Sequence, residues 1–146
     1  MESLRNLFRI GIGPSSSHTM GPRHAAVKFL DRCGGSAHRF EVTLYGSLAA
    51  TGRGHLTDRA ILDVLEPVAP TEIVWKPEEF LPFHPNGMTF RAFDADGNQT
   101  QEGTWFSVGG GNIVEAGQER SDAPDVYSMN TIQEILDWSD RTGHVY

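Results

Sequence analysis

Glycine and proline decide where each element of this chain must stop, because one frees the backbone and the other removes a donor and fixes φ. With sixteen glycines and eight prolines in 146 residues, no element can run long. Gly11-Ile12-Gly13-Pro14-Ser15-Ser16-Ser17-His18-Thr19 is too rich in such residues for regular structure and reads as a loop. Gly21-Pro22 then opens a helix and Gly34-Gly35 closes it, which predicts a helix over about 22–33. Phe40, Val42 and Leu44 alternate with His38, Arg39, Glu41 and Thr43, the period of a strand over 37–45 with one face buried, and Gly46 ends it.

Further along, 47–51 predicts a short helical turn ahead of Gly52-Arg53-Gly54. Residues 57–66 place Ile61, Leu62 and Leu65 on one helical face until Pro67. Pro77, Pro82, Pro85 and Gly87 make 77–87 an irregular connection. Residues 88–93 and 101–108 read as antiparallel strands about the turn Asp94-Ala95-Asp96-Gly97, with a last strand at 112–115 beyond Gly109-Gly110-Gly111. Residues 117–128 predict a surface loop. Asn130 or Thr131 caps a final helix reaching about Arg141, with Ile132, Ile135, Leu136 and Trp138 inward. This order implies one α+β domain over 1–146, a mainly antiparallel sheet with helices packed on one face. A helix ending so near Tyr146 suits a chain that leads into a further domain.

An apolar share of 38% with Trp75, Trp105 and Trp138 supports a packed core. The net charge of −7 opposes binding to a phosphate backbone, so nucleic acid is not an expected partner. No run approaches the roughly 20 apolar residues of a membrane span, and no leader pattern precedes the loop. A cytoplasmic location is the expectation. Cys33 is the single cysteine. It excludes an intrachain disulfide and any four-thiolate or cysteine-rich zinc site built from this chain, and its place on the stripe Ala26, Phe29, Leu30, Cys33 marks it as core.

Chemistry concentrates in Pro14 to Thr19, where the hydroxyls of Ser15, Ser16, Ser17 and Thr19 and the imidazole of His18 stand just before a helix start. Unpaired N–H groups and added donors there suit an anion such as an amino-acid carboxylate. The same hydroxyls also suit local backbone bonding. His55 follows Gly52-Arg53-Gly54, and His84 lies in Phe83-His84-Pro85-Asn86-Gly87, both in backbone settings that aim a side chain. Gathered in one cleft, His18, His55 and His84 make an acid–base group; apart, they are structural or surface histidines. No His-x-x-x-His spacing supports zinc. His24, His38 and His144 carry no assigned role. Gly109-Gly110-Gly111 lacks the strand-to-helix setting of a dinucleotide loop, and Arg53 and Arg59 suit salt bridges better than a substrate carboxylate.

Four ordered blocks resemble the beta domain of iron-sulfur L-serine dehydratases. They are Gly11-Ile12-Gly13-Pro14-Ser15-Ser16-Ser17-His18-Thr19-Met20-Gly21-Pro22, Tyr45-Gly46-Ser47-Leu48-Ala49-Ala50-Thr51-Gly52-Arg53-Gly54-His55-Leu56-Thr57-Asp58, Phe83-His84-Pro85-Asn86-Gly87-Met88 and Trp105-Phe106-Ser107-Val108-Gly109-Gly110-Gly111. The resemblance implies a lyase that converts L-serine to pyruvate and ammonia. Its 4Fe-4S cluster would be held by cysteines of a separate alpha domain, in cis or as its own subunit, with one iron open as a Lewis acid and no metal bound by this chain. A homodimer of the complete enzyme is compatible with it. On this resemblance Ser15, Ser16, Ser17 and Thr19 line the substrate side, with Ser16 or Ser17 on the carboxylate. His18 and His55 transfer protons, while His84 and Asn86 line the cleft. The beta domain also resembles the allosteric substrate-binding domain of D-3-phosphoglycerate dehydrogenase, which implies the same α+β fold and a regulatory anion site. The alternative is a non-catalytic regulatory module binding serine or another small anion. Trp75, Trp105 and residues 78–87 are either a docking face for the alpha domain or core.

Overall fold

The computed structural model describes residues 13–35, 37–118 and 132–142. The chain divides into two compact units, one of residues 10–119 and one that includes 120–146. In the first, a single helical turn, Ser16–Met20, leads into α1, Gly21–Cys33. Strand β1, Arg39–Tyr45, passes directly into the short α2, Gly46–Thr51, and then into α3, Thr57–Leu65. Four strands follow: β2 at Thr71–Lys76, β3 at Gly87–Phe93, β4 at Gln99–Gly109 and β5 at Asn112–Glu115. They form one sheet in the order β2-β1-β3-β4-β5, antiparallel except for the β1–β2 pair. The fold is therefore α+β, with a mostly antiparallel open sheet and helices packed on it.

The alternation in β1 decides which face is buried. Register sets Phe40 opposite Ala92, Val42 opposite Phe90 and Leu44 opposite Met88, with Trp105 beyond Met88, so these side chains share one face. Phe29 of α1 packs onto that face with its ring 5.5 Å from Phe90 and edge-on to Phe40 and Trp105. Gly103 leaves room for the Trp105 ring, which a Cβ there would meet at 2.3 Å. Burying side chains of this size contributes roughly 2–3 kcal/mol each, an upper figure for a compact unfolded state. The opposite face is polar around Arg91, which donates to Glu41 at 2.9 Å and to Glu102 at 2.7 Å, and buries Tyr45 and Phe106 elsewhere.

Several expectations need correction. No element was expected at 71–76, yet β2 forms there as an edge strand; Ile73 and Trp75 face the core and are half-buried. Trp105 is 1% exposed and belongs to the core, not to a docking face. Residues 16–20 are a helical turn and not a loop. Leu136 and Trp138, expected inward, are each 36% exposed on α4, Ile132–Thr142. The side chains of Ile132 and Ile135, the capping positions Asn130 and Thr131, and residues 119–128 of the expected loop lie outside the described residues. Among the described residues no helix is long and apolar enough to cross a membrane.

Candidate functional site

The loop ahead of α1 owes its shape to its own hydroxyls. Ser15 Oγ accepts from the His18 backbone N–H at 3.3 Å, and the Gly21 N–H closes a wide π-helical turn onto the Ser16 carbonyl. Such turns are rare overall and are frequent at functional sites. The turn is pinned from outside by α3, whose Thr57 hydroxyl donates to the His18 carbonyl, and Thr19 in turn donates to the His55 carbonyl at 2.9 Å. These crossed bonds bring residues 18 and 55 together, with the imidazole centroids 4.9 Å apart.

Each ring is held differently. His55 Nδ1 lies 3.1 Å from the Thr51 carbonyl. A carbonyl only accepts, so Nδ1 carries the hydrogen of the neutral ring and Nε2 is left with the lone pair. His18 is gripped on both edges by hydroxyls, Nδ1 by Ser17 Oγ at 3.0 Å and Nε2 by Ser47 Oγ at 3.2 Å. Burial holds the His18 pKa below the ordinary imidazole value and the neighbouring His55 pushes the same way, against an upward contribution from the Ser47 backbone.

His84 joins this arrangement through its loop. Its Nδ1 accepts the Asn86 N–H at 3.1 Å, and the adjacent Pro85 carbonyl accepts the Ser47 N–H at 3.1 Å. The Asn86 amide is directed to the Ser107 carbonyl at 3.3 Å, anchoring the loop to β4. Of the four expected substrate hydroxyls, Ser16 is exposed, Ser15 and Ser17 bond within the turn, and Thr19 is buried on the His55 carbonyl. Ser47, Thr51 and Thr57 were not anticipated; their signal is position, at the ends of β1 and α2 and the start of α3. His24, given no role, ties α1 to the glycine turn through the Gly111 carbonyl at 2.8 Å.

Two concavities lie away from the His18 and His55 rings, one along residues 80–85 that includes His84 and one between Phe83, Phe106 and residues 115–118. No three His, Cys, Asp or Glu side chains converge on a metal position among the described residues. Cys33 is buried in the core, and burial raises its thiol pKa, which disfavours the thiolate that a cluster requires.

Comparison with known proteins shows the family of the chain. The profile of the serine dehydratase beta chain matches residues 3–76 and 65–118. This chain belongs to that family. An L-serine dehydratase of Streptomyces coelicolor is 35% identical over 97% of the chain, and one of Mycobacterium bovis 37% over 95%. L-serine dehydratase 1 of Escherichia coli is 32% identical over 99% of it. The chain spans only 41%, 39% and 41% of these relatives. The Streptomyces alignment covers 186 positions, whereas 97% of 146 residues is about 142, so the relative carries about 44 residues with no counterpart here. The two profile matches overlap at residues 65–76.

Proposed function

We propose that this chain supplies the proton-transfer and substrate-binding side of an L-serine dehydratase site, converting L-serine to pyruvate and ammonia once a partner domain completes it. The observation that carries this reading is the His18–His55 contact, built by residues from two separate sequence blocks. His55 is the base: its Nε2 lone pair accepts the α-proton while the Thr51 carbonyl keeps the ring oriented. His18, 4.9 Å away, returns or relays the proton. The exposed Ser16 hydroxyl, beside the turn that Ser15 and Ser17 shape, binds the carboxylate, and the loop of His84 and Asn86 lines the cleft. The residues of this chain do not fit a 4Fe-4S cluster, so we assign the cluster to an alpha domain, in cis or as a separate subunit in the cytoplasm, and route no step through it.

The test is anaerobic conversion of L-serine to pyruvate by the chain alone and mixed with the cluster-bearing part of a relative. Turnover is expected only in the mixture. His55→Gln should lower it by about 10²–10⁴ while leaving the circular dichroism of the chain unchanged. Near-normal turnover by His55→Gln would remove the base assignment. Serine binding without turnover in any mixture would favour a regulatory module.

A further inference from the structure

We infer that Ser47 is a positioning residue of this site, which with Ser17 holds the His18 ring from opposite edges and keeps it in place in both protonation states. The inference rests on His18 as a proton carrier. A hydroxyl both donates and accepts, unlike the carbonyl that orients His55. Around a neutral His18 one hydroxyl donates to the ring lone pair and the other accepts the ring N–H; around the imidazolium both accept. The distances of 3.0 and 3.2 Å allow either pattern, so the ring gains or loses a proton without turning.

Ser47 is held independently of the ring it grips. Its N–H donates to the Pro85 carbonyl at 3.1 Å, its carbonyl accepts the Thr51 hydroxyl at 2.9 Å, and the preceding Gly46 N–H donates to the Glu79 carbonyl at 2.8 Å. Gly46 has φ +46, and a Cβ there would meet the Pro85 carbonyl oxygen and the Phe80 ring at 2.7 Å. The turn that carries Ser47 is thereby fixed by backbone bonds, and removing one hydroxyl leaves those bonds intact. Facing His18 are the neutral hydroxyls of Ser17 from its own turn, Ser47 from α2 and Thr57 from α3. His55 is the titratable group in ring contact with it.

The test is an NMR titration of the His18 ring nitrogens in the ¹⁵N-labelled chain, which needs neither substrate nor partner. In the native chain both ring nitrogens should show the resonances of hydrogen-bonded groups across the titration, since each faces a hydroxyl. Ser47→Ala should move the Nε2 resonance toward that of a ring nitrogen without this partner and lower the titration midpoint by about half a unit, because the imidazolium loses a charge-assisted acceptor worth more than the neutral bond. Ser47→Thr should restore both. Should alanine disturb the turn, Ser47→Cys, with a weakly bonding group of similar size, must move the ring the same way. Unchanged ring nitrogens and midpoint in Ser47→Ala, or no restoration by threonine, would overturn the inference. In the reconstituted enzyme kcat should fall about tenfold with KM nearly constant. Inactivity of every mixture would count against the proposed function alone, since the titration decides Ser47 separately.

Discussion

Gly21 sits where any side chain would strike the sheet. A Cβ there would lie 2.1 Å from Ser107 Oγ and 2.9 Å from its Cβ. Its φ of −57° is ordinary helix, where replacing glycine by alanine normally gains up to ~1 kcal/mol. The collision outweighs that gain because Ser107 is wholly buried, and its Oγ has no hydrogen-bond partner in the described residues to be pulled toward. Gly21→Ala should lower stability by about 1–3 kcal/mol in urea unfolding, and Ser107→Ala should recover part of it. Since the Gly21 N–H closes the turn carrying His18, the same variant should shift the His18 ring resonances. Equal or greater stability would show that helix and sheet separate freely here. His18 and His55 were legible as candidates in glycine- or serine-rich loops, while their pairing came only with the fold. Ser47 was not, because it lies 29 residues from His18 and meets it only through the fold.

Among the elements, α3 begins in an unusual way: Leu56, its N-cap, has φ +59 and gives no side-chain capping bond. A left-handed leucine costs roughly 1–2 kcal/mol, and its side chain is half exposed, so little burial offsets the strain. Leu56→Gly should raise stability by about 0.5–1 kcal/mol, measured as the urea midpoint at constant m-value; a fall would mean that the side chain holds the His55 turn by packing. The clean alternation of β1 and β3 made those strands readable. β2 escaped because Val74 interrupts its polar face, and because an edge strand between Pro70 and Pro77 leaves Ile73 and Trp75 only half buried. The π-helical turn was equally hidden, since Thr57 and Ser47, remote in sequence, pin it.

At the scale of the molecule, the proposed site is a surface feature of a chain that spans about two-fifths of its relatives, and the proposed partner domain would cover it. That leaves His18 coupled to folding before any partner arrives. Burial and His55 hold its pKa below the 6.5 of a free imidazole, so between the folded pKa and 6.5 the unfolded chain binds more protons than the folded one. Stability therefore rises with pH through that window, and the contribution is complete above 6.5 and lost as pH falls toward the folded value. The carboxyl of Asp94, held below 3.8 by bonds from the Asn98 backbone and neighbouring groups, acts only at lower pH and does not overlap. Urea midpoints should accordingly be lower at about pH 5 than at about pH 7, and His18→Gln should flatten that difference because glutamine does not titrate. An undiminished pH slope in His18→Gln would mean that other groups set the acid sensitivity and that the His18 environment costs its charged form little.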